Sequence, residues 1–139
     1  MKKLAFTLAI GALTIVSCKK NKEDCQTTAA SLSAAYKTVS IKYKQTPSSS
    51  ELDYFATLDA CEKDDVLTLN ANGTYSYTDA GTVCAPPGSY TGTWSVSGNT
   101  ITVDGDNGTI QSFDCTTLVL YVENNFVAGD RLTTTLVKQ

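Results

Sequence analysis

The chain has 139 residues, with 11 lysines and arginines, 14 aspartates and glutamates, and no histidine. That length suits a single domain, and a net charge of −3 argues against nucleic acid or anionic lipid headgroups as main partners. Without histidine there is no Ser-His or Cys-His nucleophile pair and no imidazole metal site, so neither an enzyme nor a metal or cofactor protein is expected.

The N-terminus predicts an export signal. Lys2 and Lys3 precede an apolar run from Leu4 to Val16, and the run ends in Ile15-Val16-Ser17-Cys18. The positive start holds this end on the cytoplasmic side. The run is too short to cross a bilayer core, which takes about 20 residues. The small Ser17 before Cys18, with the bulky Ile15 at −3, fits a lipoprotein cleavage box better than a generic secretory site. Residues 1–17 are therefore expected to be removed, and Cys18 to be acylated and to hold the protein on the lipid bilayer. Lys19 stands where an aspartate would favour retention at the inner membrane, so the outer membrane is expected, on either its periplasmic or its surface face. Residues 18–33 are read as a lipidated tether and 34–139 as the folded domain. Removal of the leader takes Lys2 and Lys3, which leaves nine basic side chains against fourteen acidic ones, a net charge of −5.

Four cysteines remain beyond Cys18: Cys25, Cys61, Cys84 and Cys115. An even set in an exported chain reads as disulfides, with three pairings open. Cys61–Cys84 with Cys25–Cys115 is favoured, the alternative being that Cys25 stays a free thiol.

Along the rest of the chain strands dominate. Residues 26–35 are small and polar and suit one helical turn. Residues 36–44 alternate Val39, Ile41 and Tyr43 against Ser40, Lys42 and Lys44, which predicts a half-buried strand. After the loop at 45–51, Leu52, Tyr54 and Phe55 suit either a short helix lidding an opening or a loop packed outside. Further strands are predicted at 65–70, 74–79, 90–96, 100–104, 109–113, 117–123 and 131–138. They are separated by turns such as Asn70-Ala71-Asn72-Gly73, Ser97-Gly98-Asn99 and Gly105-Asp106-Asn107-Gly108. Eight short strands at regular spacing argue an antiparallel up-and-down meander, which loses its exposed edges most simply by closing into a barrel. A β-sandwich is the runner-up. The acidic run Glu62, Asp64 and Asp65 reads as the solvated start of a strand, and Asp104 to Gly108 as a turn without the ligand count of a calcium loop.

Several of these segments form an ordered set: Cys61-Glu62-Lys63-Asp64-Asp65, then Asn72-Gly73-Thr74-Tyr75, Cys84, Gly92-Thr93-Trp94-Ser95 and Gly98-Asn99-Thr100-Ile101. In that order they resemble the small lipocalin-like lipoproteins of Gram-negative bacteria, over roughly residues 34–137. The family's opening Gly-x-Trp corresponds here to Ala34-Ala35-Tyr36. The resemblance implies an eight-stranded barrel with a central cavity. Such a barrel either fills with side chains or holds one small ligand. Leu67, Leu69, Tyr75, Tyr77, Trp94, Leu118 and Leu120 are the candidate lining residues. Two functions follow as expectations: a membrane-anchored module that binds a small apolar or amphipathic molecule, or an envelope lipoprotein with a filled barrel that works through its outer surface. Replacing Cys18 by Ala is expected to move the protein from the membrane to the soluble periplasmic fraction; fractionation that still finds it in the membrane would exclude the lipid anchor.

Overall fold

The computed structural model describes residues 25–139; the leader, Cys18 and the remainder of the N-terminal segment lie outside the described residues. The chain order is α1 (Ala29–Leu32), β1 (Ala34–Lys44), β2 (Leu52–Asp53), α2 (Tyr54–Thr57), α3 (Ala60–Lys63), β3 (Val66–Leu69), β4 (Thr74–Thr78), β5 (Tyr90–Ser97), β6 (Thr100–Val103), β7 (Asp106–Phe113), β8 (Thr117–Glu123) and β9 (Arg131–Lys138). From β3 to β9 each strand pairs antiparallel with the next, β1 pairs with β3, and the β1–β9 ladder closes the sheet. The result is an eight-stranded antiparallel barrel, with β2 as a short addition to the upper half of β1. The closed barrel, rather than the sandwich, is the arrangement that leaves no long unpaired edge.

Two bulges decide which residues face inward. Paired residues share a face, and alternate residues along a strand share a face. Tyr36 is fully buried, so strict alternation would turn Lys42 and Lys44 into the barrel. The β1–β9 register shifts between Thr38 and Ser40, leaving Val39 unpaired and 47% exposed. Beyond the bulge Ile41 pairs with Thr134 and Tyr43 with Leu132, on the inward face set by Leu136. The predicted face of Val39, Ile41 and Tyr43 is thus corrected: Val39 points out because one extra residue inverts the phase. A second shift in β7, between Ile110 and Ser112, puts both Ile110 and Phe113 on the inner side.

The turns follow from residues that tolerate positive φ. Gly73 (φ 83°) closes the β3–β4 hairpin, its N–H donating to the Asn70 carbonyl at 3.1 Å. Between β6 and β7 the positive-φ pair is Asp104 (φ 50°) and Gly105 (φ 97°). The strand therefore resumes at Asp106, three residues earlier than the sequence predicts, because Asn107 and Gly108 are drawn into the ladder against Thr102 and Ile101.

One end of the barrel is sealed. Leu32, Tyr36, Leu69, Trp94, Ile101, Ile110, Leu118 and Leu136 are each at most 4% exposed and form one core. The one-turn helix α1 supplies the plug. Thr28 and Ser31 cap it reciprocally, with the Thr28 Oγ1 accepting from the Ser31 N–H at 3.2 Å and the Ser31 Oγ from the Thr28 N–H at 3.0 Å. The Tyr36 hydroxyl donates to the Leu32 carbonyl at 2.8 Å, and Lys138 Nζ donates to the Ser31 carbonyl at 2.7 Å. The Trp94 indole N–H donates to the Asn70 carbonyl at 2.9 Å, so neither large aromatic leaves a buried polar atom unpaired. Residues 25–33, read as tether, are part of this seal. Leu32 is in the core, Thr27 Oγ1 donates to the Gly98 carbonyl at 2.8 Å, and the Cys25–Cys115 disulfide fastens the segment to the β7–β8 turn.

The Cys25–Cys115 bridge spans 90 residues of sequence and, on chain-entropy grounds, is worth about 4.5 kcal/mol. Tyr36→Phe is expected to cost about 1 kcal/mol in a urea melt, the value of one net hydrogen bond. Tyr36→Ala is expected to cost about 3 to 5 kcal/mol, because it also opens a cavity under α1. Equal costs would mean that the ring does not carry the seal.

Candidate binding site at the open end of the barrel

The other end carries the long connections: residues 45–65, 79–89, 104–105 and 124–130. Each of the larger loops is organised by a carboxylate that accepts backbone N–H groups. Asp79, 9% exposed, accepts from the Gly88 N–H at 2.8 Å and from the Cys84 N–H at 3.1 Å. Asp130, 1% exposed, accepts from Asn125, Phe126 and Val127 at 2.7, 2.9 and 3.0 Å. The Cys61–Cys84 disulfide ties α3 to the β4–β5 loop, closing 23 residues for about 3 kcal/mol. The acidic run is not the solvated strand start expected of it. Glu62 caps α3 through the Asp59 N–H at 2.8 Å, Asp64 accepts from the Thr82 N–H at 2.8 Å, and Asp65 is 8% exposed and accepts from the Ala80 N–H at 3.2 Å.

The seven candidate lining residues divide by height in the barrel. Leu69, Tyr75, Trp94 and Leu118 are buried in the packed core, so they support the site without facing free space. Leu67, Tyr77 and Leu120 sit higher and are half-buried. Sharing their inward face near the mouth are Ile41, Tyr43, Val103, Val122 and Leu132, also half-buried, and Tyr90, which is 54% exposed. Solvent therefore reaches the inner wall of the upper half but not of the lower half. Tyr90 was legible as inward, four residues from Trp94 with Gly92 between. Tyr43 was legible in kind, but its direction depends on the bulge.

On the β3–β6 side this wall is aromatic and acidic. Tyr77 and Tyr90 are cross-strand partners with rings stacked at 5.0 Å, and Tyr75 meets Tyr90 edge-on at 6.1 Å. The Tyr75 hydroxyl donates to Asp104 at 2.6 Å, and Asp104 also accepts from the Thr93 N–H at 2.8 Å. Gly92 makes room for this: a Cβ there would lie 2.4 Å from Asp104 Oδ1 and 2.6 Å from the Tyr75 ring. The Tyr77 hydroxyl pairs with Asp65. The hydrogen bond to Asp104, then burial, pushes Tyr75 up to about 12. Burial, then its bond to Asp65, raises Tyr77; burial, then the charges of Asp104 and Asp65, raises Tyr90. The Thr93 N–H, then the Tyr75 hydroxyl, holds Asp104 below the usual carboxylate range. These tyrosines are neutral donors and ring faces at physiological pH, and the Asp104 carboxylate is charged.

Opposite, the rim carries an aromatic cluster of Tyr43, Phe126 and Tyr54, with the Phe126 ring 5.6 Å from Tyr43 and 6.2 Å from Tyr54. Leu52, Tyr54, Phe126 and Val127 are all exposed there. The lid residues thus lie at the rim, Leu52 on β2 and Tyr54 and Phe55 on α2, with Tyr54 against Phe126. A rim pocket of 160 Å³ among Lys44, Glu123, Asp130 and Arg131 is below the few hundred Å³ of a ligand site, and Arg131 and Glu123 pair with each other within it. Among the described residues no group of three His, Cys, Asp or Glu side chains could hold a metal ion.

Burial pushes the Asp130 carboxyl up, but the N–H groups of Val127, Phe126 and Asn125 and the Tyr43 hydroxyl outweigh it and hold it below its ordinary range. A folded-state value below the unfolded one means that this stabilisation is complete above about pH 4 and is lost as pH falls through the depressed value. Asp130→Asn is expected to lower Tm at pH 7, with the gap to the wild type narrowing below about pH 4. A gap that stays constant down to pH 2 to 3 would show that charge plays no part in holding the loop.

A family model for the lipocalin-like domain matches residues 23–120, from just before Cys25 into β8. No curated protein matches the chain. The matched span contains the plug, seven of the eight barrel strands in whole or part, and the whole aromatic and acidic wall; β9, which closes the barrel, follows it. With an eight-stranded antiparallel barrel closed on itself and this match over most of its length, the chain belongs to the lipocalin-like domain family.

Proposed function

We propose that this protein is a non-enzymatic binding module that holds one small amphipathic molecule in the upper half of its barrel, and that acylated Cys18 anchors it to the outer membrane. The observation that carries the reading is the change in burial along the inward face. Leu69, Trp94 and Leu118 are sealed, whereas on the same faces Leu67, Tyr77 and Leu120 are half-buried and Tyr90 is exposed. Apolar wall left open in a concave site is what a ligand covers. A ligand that buries about 200 Å² of apolar surface gains about 5 kcal/mol at 25 cal/mol per Å², before the cost of association. The tyrosine hydroxyls and the two carboxylates supply the few polar groups that orient it. The anchor rests on the Ile15-Val16-Ser17-Cys18 box.

One observation favours the second reading, a lipoprotein that acts through its surface. Leu52, Phe126 and Val127 form an apolar lip at the mouth, with exposures of 60, 57 and 48%. Native mass spectrometry of oxidised residues 19–139 purified from the periplasm separates the two readings. A stoichiometric extra mass that leaves on denaturation is expected, together with a 4 Da deficit from the two disulfides. A protein that stays bare after incubation with an envelope lipid extract would overturn the binding reading in favour of the lip.

A further inference from the structure

Resting on that binding reading, we infer that the barrel selects an amphipathic cation, an alkyl chain or ring system carrying an ammonium group, over anionic and neutral molecules of the same apolar size. The inward wall of the upper half is one-sided in charge. Asp65, Asp104 and Asp106 all lie on it: Asp65 two residues before inward Leu67, Asp104 turned in over Gly92, and Asp106 paired with inward Val103. Asp65 is 8% exposed, and a cation placed beside it would be screened little by water.

Among the described residues no cation balances them. Six lysines and arginines lie among the described residues. Lys42 points outward and pairs with Asp53 at 3.0 Å. Arg131 pairs with Glu123 and covers the Tyr121 ring at 4.1 Å. Lys63 donates to the Ala56 carbonyl at 3.3 Å, outside the barrel. Lys37 and Lys44 follow inward Tyr36 and Tyr43 and so face out, and Lys138 is at the sealed end.

An independent feature points the same way. The Tyr77–Tyr90 stack leaves Tyr90 54% exposed on the inward face beside these carboxylates. The Tyr75 hydroxyl is given to Asp104, and half-buried Tyr77, with Asp65 beside its hydroxyl, offers its ring to the wall through the stack with Tyr90. An aromatic face next to carboxylates is the arrangement that takes an ammonium group, through cation–π attraction and charge together. An anionic headgroup would meet three carboxylates, and the Tyr75 hydroxyl that could donate to it is already given to Asp104. The apolar tail would lie on Leu67, Val103 and Leu120, above the floor made by Trp94 and Leu118.

Isothermal titration of the oxidised residues 19–139, which contain the whole described fold, with decyltrimethylammonium, decyl sulfate and decyl maltoside below their micellar concentrations tests this directly. The ammonium compound is expected to bind about tenfold more tightly than the maltoside, a difference of about 1.4 kcal/mol, and the sulfate more weakly than both. Asp104→Asn is expected to shrink the preference for the ammonium compound over the maltoside about fivefold, and an unchanged ratio would overturn the charge preference. Sulfate or maltoside binding as tightly as the ammonium compound would overturn the charge preference and leave the binding reading standing. Failure of all three to bind would overturn both.

Discussion

The β1–β9 ladder is the contact on which the rest of the structure depends. It joins the first and last strands of the barrel, so every intervening hairpin is held in a closed ring and none of the eight barrel strands presents a free edge. It is also a pairing of high sequence separation, whose loop-closure entropy is met only once the intervening strands are in place. The Cys25–Cys115 bridge reduces that entropy by tying the segment before β1 to the turn that precedes β8. The bulge at Val39 belongs to the same ladder. It allows one strand to present Tyr36 to the sealed core and Ile41 and Tyr43 to the upper wall, while Lys42 and Lys44 stay in solvent.

Closure at one end produces asymmetry along the barrel axis. Below, α1, Tyr36 and Trp94 fill the interior, and their polar atoms are bonded to backbone carbonyls that face them. Above, the inward side chains are only half-buried: Leu67, Val103 and Leu120 pack on the core from one side, and Tyr90 is exposed. Aspartates hold the loops there. Asp79 and Asp130 gather the N–H groups of their own loops, and the Cys61–Cys84 bridge keeps the β4–β5 loop against α3. The price of an open mouth is therefore carried by local hydrogen bonds rather than by packing, which is why the rim leaves Phe126 and Leu52 exposed.

The acidic and aromatic wall is assembled from four strands and a turn. Tyr75 and Tyr77 alternate on β4, Tyr90 meets Tyr77 across β4–β5, Asp65 precedes β3, and Asp104 follows β6 in the turn. None of these residues is unusual by itself. Gly92 is the residue that combines them, because only the absence of a side chain there lets the Asp104 carboxylate and the Tyr75 ring occupy one place. The affinity of such a wall for its ligand is a small difference between apolar burial and the cost of association, so one desolvated charge can decide which headgroup is accepted.

The sequence by itself determined the strand class, the approximate place of seven hairpins or loops, and the barrel. Alternating apolar residues and Asn-Gly or Gly-Asn turns are local signals that need no partner to be read. It did not determine phase where a bulge intervenes: Val39 and Ile41 look equivalent in the one-dimensional pattern, and only the register against β9 separates them. Nor could it separate Leu118 from Leu120, two inward leucines of one strand, into core and upper wall, because depth along the barrel axis comes from the plug that α1 inserts at one end. The acidic residues at 62–65 read as a solvated strand start because charge usually is solvated, and Asp104 as part of a turn; the tertiary structure placed Asp65 and Asp104 on the inner wall, where the Tyr75 hydroxyl and backbone N–H groups of Ala80 and Thr93 meet them. Local pattern sets which residues can face inward, and only the closed sheet decides what they meet.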